Sequence, residues 1–150
     1  MVRVGILMGS ESDRPVMEEA VKVLNKFGVE CELVVASAHR TPEKVQSYVK
    51  EARDRGIKVL IAGAGMAAHL AGAVAAHTTL PVIGVPIDSS PLNGLDALLS
   101  TVQMPPGIPV AAMAIGKAGA KNAAYYALSI LGTTDQNIEK QLEEFRQSFK

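Results

Sequence analysis

The chain has 150 residues, 48% of them hydrophobic and 20% charged, with 15 basic and 15 acidic side chains and a formal net charge of +0. That is long enough for one domain with a proper core and too apolar for a disordered chain. The neutral balance argues against a nucleic-acid or membrane partner, and with no Trp and 4% aromatics no base-stacking platform is expected.

Val2–Met8 reads as a central strand, and Gly9-Ser10-Glu11-Ser12-Asp13 as the turn after it. Apolar residues at Val16, Met17, Ala20, Val21, Leu24 and Phe27 predict a helix over Arg14–Phe27, ended by Gly28. Val29–Ala36 is a second strand. Its first half alternates Val29, Cys31 and Leu33 with Glu30 and Glu32, the pattern of a half-exposed edge. Cys31 is the one cysteine, so no disulfide forms within the chain and a reducing cytoplasm fits. Its two carboxylate neighbours raise the thiol pKa, which favours a structural thiol over a nucleophile.

Pro42–Arg55 is the second helix, with Val45, Tyr48, Val49 and Ala52 on one face and Gly56 as its stop. Ile57–Ala62 is strand three, and Ala67–His77 helix three. Val59–Ala76 approaches the length of a membrane span. It contains His69 and three glycines, and it shifts from Val-Leu-Ile to Ala-Gly, so strand, glycine turn and small-residue helix explain it better. A helix that apolar needs cover on several sides, which predicts a neighbouring subunit there. No signal segment is expected, because the N-terminus runs straight into a strand.

Pro81–Val85 is strand four, followed by a loop over Pro86–Pro91 and a helix over Leu92–Val102. Met104-Pro105-Pro106-Gly107 is a rigid connector to strand five, Ile108–Ile115. Gly116–Gly119 reads as a further glycine loop and Ala120–Leu131 as an Ala-rich helix. After a break at Gly132–Asp135, Asn137–Phe149 forms the last helix, with Ile138, Leu142, Phe145 and Phe149 on one side. Strands alternating with helices predict an α/β chain with a doubly wound, five-stranded parallel sheet of order 2-1-3-4-5 and a C-terminal helix. The switch point then falls between strands one and three, and the loops after strands one, two and three surround it.

Those three loops carry the chemistry. Ser37-Ala38-His39-Arg40-Thr41-Pro42 ends in a helix start, with Thr41 at the cap and Pro42 at the first helical position. That leaves a proton carrier, His39, and an anion binder, Arg40, side by side at a strand's carboxyl end. Arg40 has a competing use as a surface partner of Glu43, worth at most about 1 kcal/mol. In the first loop, Ser10, Ser12 and the free N–H groups of a helix start suit a phosphate monoester. Asp13 would repel phosphate and suits sugar hydroxyls, but Ser12 or Asp13 also reads as a plain N-cap before Arg14-Pro15. The third loop, Gly63-Ala64-Gly65-Met66-Ala67-Ala68-His69-Leu70, matches G-x-G-x-x-A, with Asp88 downstream. That is most of a dinucleotide fingerprint, though on the third strand and with no residues left for a substrate domain. His69 faces either the ligand or a neighbouring subunit. His77 reads as a dipole-compatible residue at a helix C-terminus, and Lys117, on the ligand edge, as a solvated lysine rather than a ligand contact. No metal-ligand spacing and no G-x-S-x-G elbow is present.

Taken together, Met8-Gly9-Ser10-x-Ser12-Asp13, Ser37–Pro42, Ala62–Leu70, Leu80–Pro86 and Val102–Pro105 closely resemble the class I N5-carboxyaminoimidazole ribonucleotide mutases of purine biosynthesis. The resemblance covers nearly the whole chain. It implies a flavodoxin-like three-layer fold, a homo-octamer with interfacial active sites, a small-molecule ribonucleotide substrate and no cofactor. Carried residue by residue, it implies ribose-phosphate contacts from Ser10, Asp13 and Arg40, with Ser12 a further candidate, and a catalytic His39 within Ser37-Ala38-His39. It also implies a base and carboxylate loop formed by Gly65, Met66, Ala67, Ala68, His69 and Leu70. Met66 stands where the family commonly has Gly, and Ala71 where it commonly has Pro. Two other functions stay open on the residues: a carboxylase acting directly on aminoimidazole ribonucleotide, and a non-catalytic nucleotide-binding module.

Overall fold

The computed structural model describes all 150 residues. Five parallel strands, β1 (Val4–Met8), β2 (Cys31–Val35), β3 (Val59–Gly65), β4 (Val82–Ile87) and β5 (Ala111–Ala112), form one sheet of order β2-β1-β3-β4-β5. The helices are α1 (Arg14–Lys26), α2 (Pro42–Ala52), α3 (Leu70–Ala75), α4 (Leu95–Val102), α5 (Lys117–Gly132) and α6 (Gln136–Gln147). This is the doubly wound order that the alternation predicts and the flavodoxin-like fold that the resemblance implies.

The pleat sorts the strand residues between two apolar layers. Val4, Ile6, Met8, Val59, Ile61, Ile83 and Val85 face α1 and α5, where Met17, Ala20, Leu24, Ala123, Ala127 and Leu128 close the core. Leu7, Leu60, Ala62 and Val82 face α2 and α3, against Val45, Val49, Leu70 and Val74. Each fully buried Ile or Leu contributes about 2 kcal/mol. The strands buried on both faces read as continuous apolar runs, whereas β2, half-buried throughout, lies at the sheet's edge as its charge alternation predicts.

Glu32 on β2 is not simply solvated. It accepts a hydrogen bond from the Tyr48 hydroxyl at 2.7 Å and pairs with Arg55 at 2.8 Å, tying the edge strand to α2. Burial and the Glu32 carboxylate hold the Tyr48 phenol well above its ordinary range. Cys31 packs against the α1 layer, and burial, rather than its carboxylate neighbours, pushes the thiol up.

Several boundaries differ from the sequence expectation. The glycines after Ala62 do not form the turn: Gly63, Ala64 and Gly65 stay in β3, in register with Val85, Pro86 and Ile87 of β4. The turn moves to Met66–His69, and α3 is shortened to Leu70–Ala75, leaving His77 beyond it. α4 starts at Leu95 rather than Leu92. Ile108–Ile115 pairs only through Ala111 and Ala112, because an outermost strand has one neighbour and Pro109 has no N–H to offer. Gly116–Gly119 is mostly helix, since α5 already begins at Lys117. A Cβ at Gly119 would overlap the Ala114 carbonyl oxygen, so close packing outweighs the roughly 1 kcal/mol by which helices prefer Ala. α6 begins at Gln136, capped by Asp135, which accepts from Asn137 N at 3.1 Å and is paired with Arg3 at 2.9 Å.

Candidate active site

The chain crosses over between β1 and β3, so the loops that follow β1, β2 and β3 open around a common crevice at the carboxyl edge. A cavity of about 490 Å³ lies there. It suits a nucleotide-sized ligand, since such sites run from about 300 to 1,000 Å³. Its wall contains Ser10, Ser12 and Asp13; Ser37, Ala38, His39 and Arg40; Gly65, Met66, Ala67, His69 and Leu70, while Ala68 is buried and does not line it. A larger concavity, about 600 Å³, lies near the opposite edge, beside Thr78, Pro81, Ile108 and Tyr126. No histidine, carboxylate or cation lines it.

The first loop is a single 3-10 turn over Glu11–Asp13. Its cap is Ser10, while Asp13 takes the N-cap position of α1 that one sequence reading gave it but makes no side-chain cap hydrogen bond there. Ser10 Oγ accepts from Ser12 N at 3.3 Å, while the Asp13 carboxylate accepts from Ser10 N at 3.1 Å. The Ser10 and Ser12 hydroxyls lie 2.9 Å apart and both are exposed, so they present a pair of hydroxyls to the cavity. Arg14 pairs with Glu11 outside the cavity wall, and Arg40 is the one lysine or arginine in it.

Asp13 is 5% exposed, and burial pushes its carboxyl above the ordinary aspartate range, opposed by the Ser10 N–H. The sign follows. The neutral form is favoured in the folded chain, so its stabilising contribution is full below the ordinary range and is lost as pH rises through the raised value. Asp13→Asn keeps an acceptor for Ser10 N without the charge. At neutral pH it is expected to unfold at a temperature about 3 °C higher, the equivalent of about 1 kcal/mol. That gap closes as pH falls through the raised value. A less stable variant at neutral pH would mean that the carboxylate charge is well solvated where it stands.

The second loop is closed on itself. Thr41 Oγ1 accepts from Ser37 N at 2.9 Å and donates to Ser37 O at 3.2 Å, and Ser37 Oγ accepts from Arg40 N at 3.0 Å. Thr41 therefore braces the loop and makes no side-chain cap to α2. His39 and Arg40 are left exposed at the rim, and Arg40 forms no ion pair with Glu43. In the third loop, His69 precedes α3, and its ring faces that of His39 with centroids 5.5 Å apart. Of its two sequence readings, the cavity-facing one agrees with this position. Lys117 is exposed outside the cavity wall.

Ser89 also lines the cavity and escaped sequence reading. A Cβ at Gly65 would overlap Ser89 Oγ and lie 3.2 Å from Ile87 O, so a neighbouring strand's loop, not a ligand, requires this glycine. The signal available was position alone: Ser89 follows the end of a predicted strand on the ligand edge. The dinucleotide fingerprint dissolves on the same geometry. Its glycines lie in β3, and the six-residue α3 begins only at Leu70, too far on for the motif's glycine turn to open directly into a helix.

Similar proteins have been named or solved. N5-carboxyaminoimidazole ribonucleotide mutase of Pyrococcus abyssi is 59% identical over 150 residues, all of this chain and 85% of that one. The Bacillus subtilis protein of the same name is 55% identical over 147 residues, 98% of this chain and 91% of its own. The crystal structure of Treponema denticola PurE superposes with a TM-score of 0.88 at 34% identity, covering 99% of this chain and 91% of that one. The family model described as AIR carboxylase matches residues 3–150, and by that match and these full-length relatives the chain belongs to the AIR carboxylase family.

Proposed function

We propose that this chain is an N5-carboxyaminoimidazole ribonucleotide mutase: an isomerase that moves the carboxyl group from the exocyclic nitrogen to C4 of the aminoimidazole ring, giving the 4-carboxy-5-amino isomer in purine biosynthesis. The observation that carries this reading is the convergence on one cavity of an exposed histidine, a single arginine, two paired hydroxyls and a buried carboxylate. Relatives at 55% to 59% identity bear the mutase name, which favours it over direct carboxylation. A non-catalytic module has no use for His39 beside the reacting end of a nucleotide.

The roles follow from the chemistry of each group. Ser10, Ser12 and Arg40 hold the phosphate, Asp13 accepts from the ribose hydroxyls, and the ring lies between Ser37-Ala38-His39 and Gly65–Leu70. Phosphate binding far from the reacting atoms supplies orientation. Protonated His39 gives its proton to the exocyclic nitrogen as the N–C bond breaks and carbon dioxide separates. The C4 carbon then attacks carbon dioxide, and the C4 proton passes to His39, which returns to its starting form. Charge, protons and electrons balance over the cycle, so the reaction needs no redox cofactor and no external proton source. Met66, Ala67 and Leu70 form the apolar side of the compartment and exclude water.

The assembly is proposed to be a homo-oligomer, an octamer with sites at subunit interfaces. Leu92, Leu95, Leu99 and Val102 make one exposed apolar stripe along and just before α4. The same helix reaches the cavity loop through Ser100, whose Oγ accepts from Ala68 N at 2.9 Å. No helix is long and apolar enough to cross a membrane, and with its lone cysteine the chain is assigned to the reducing cytoplasm.

Freshly made N5-carboxyaminoimidazole ribonucleotide, mixed with the purified chain without ATP or metal, tests the reaction. The 4-carboxy isomer should form at a rate proportional to enzyme. Formation only from aminoimidazole ribonucleotide and bicarbonate would make the chain a carboxylase, and no product from folded protein would leave a binding module.

A further inference from the structure

We infer that Met66 is a movable cap over the reacting end of the cavity, and that it sets how much released carbon dioxide is recaptured rather than how tightly the ribonucleotide binds. The inference deepens the mutase reading and rests on it.

Met66 is the first residue past β3, with φ +55, in the left-handed region that glycine occupies freely and other residues avoid. One other non-glycine residue, Asn93, has positive φ, and Asn tolerates that region better than an unbranched apolar side chain does. The turn does not need a methionine to hold its shape. Its backbone is fixed from outside, by Ala68 N donating to Ser100 Oγ at 2.9 Å, and from within, by His69 N donating to Ala67 O at 2.8 Å. Nor does the side chain serve the core: it belongs to neither apolar layer and is 58% exposed. A strained position therefore holds a large, mostly exposed apolar group that lies outside both core layers.

What that group does reach is the cavity. The hydrophobic part of the wall consists of Ala38, Ala64, Met66, Ala67 and Leu70. Three of these are alanines and Leu70 is 1% exposed, locked in the core. Met66 is the one large exposed apolar group in that wall, which it shares with Gly65, His39 and His69. Its unbranched thioether chain adapts to whatever surface it meets. Folded inward, it covers the ring's reacting edge at the stage when the N–C bond has broken, the nitrogen has taken a proton and neutral carbon dioxide is held by packing alone. Phosphate and ribose are gripped elsewhere, by Ser10, Ser12, Asp13 and Arg40, so the larger part of the affinity should not depend on it.

The test is carboxyl partition in Met66→Gly and Met66→Leu, with unlabelled substrate in buffer containing ¹³C-bicarbonate. The native enzyme should give product with little label and little free aminoimidazole ribonucleotide. Met66→Gly should raise both by about fivefold or more, as water and solvent carbon dioxide enter the opened compartment. Its KM should stay within about twofold, because the phosphate grip is untouched. Its melting temperature should match or exceed the native value, because glycine removes the strained φ. Met66→Leu restores the bulk and should restore native partition. Native partition in Met66→Gly would overturn the inference. So would a variant that unfolds or changes oligomeric state, which would make Met66 a structural or interface residue. Failure of the mutase reading looks different: the native chain itself would then make no product from the carbamate.

Discussion

His39→Asn should reduce turnover of the carbamate by about four orders of magnitude while leaving ribonucleotide affinity within about threefold. One positioned general acid or base is worth about 10²- to 10⁴-fold, and here a single imidazole is proposed to act in two proton transfers, which puts the loss at the upper end. Asparagine fills a similar volume and still hydrogen-bonds, but it carries no titrating proton. The loop should survive, because its closure runs through Ser37 and Thr41, not through the histidine side chain. Single-turnover rates and equilibrium binding of the product separate the two effects. The nearest competitor is His69, with its ring centroid 5.5 Å away. Full activity in His39→Asn, with the loss appearing in His69→Asn, would move the proton work to the second ring.

Arg40→Ala should show the opposite split. Arg40 is the one lysine or arginine in the cavity wall, and neither Glu43 nor any other carboxylate engages it. Charge-assisted hydrogen bonds to phosphate are worth about 2 kcal/mol, roughly thirtyfold in affinity. Affinity should therefore fall by that factor, with a smaller change in turnover at saturation. Dephosphorylated nucleoside should bind native and variant chains equally weakly. Unchanged affinity for the ribonucleotide would sink the phosphate assignment.

How far the sequence reveals such a site depends on which force decides each part. β1 and α1 are legible because apolar runs, helical spacing and the Gly28 stop are local signals and all agree. The edge position of β2 is legible for the same reason, in its alternating Glu30 and Glu32. The β3 boundary was not, because glycines at 63 and 65 look like a turn. What keeps them extended is pairing with Val85 and Ile87, from a strand roughly 20 residues later, together with the space that Met17 and Ser89 take above them. β5 shows the reverse: an apolar pattern over Ile108–Ile115 that edge position and Pro109 reduce to two paired residues.

The candidate site follows the same division. Loops at one sheet edge are implied once the strand order is known, so Ser10, His39 and His69 could be placed around one crevice from pattern and resemblance. Their internal bonding could not. That Ser10 caps the turn while Asp13 answers it, and that Thr41 braces Ser37 instead of capping α2, are choices between equally good local partners. Ser89 had only its position after a strand as a signal, because its relation to Gly65 exists only after β3 and β4 have paired.

The most direct test of the account is a crystal structure of this chain with 4-carboxy-5-aminoimidazole ribonucleotide bound. The account predicts the phosphate against Ser10, Ser12 and Arg40, the ribose hydroxyls at Asp13, and the carboxylated ring edge between His39 and the Gly65–Leu70 loop. A ligand seated instead in the concavity beside Thr78, Ile108 and Tyr126, or lying end for end with its phosphate at His69, would contradict it.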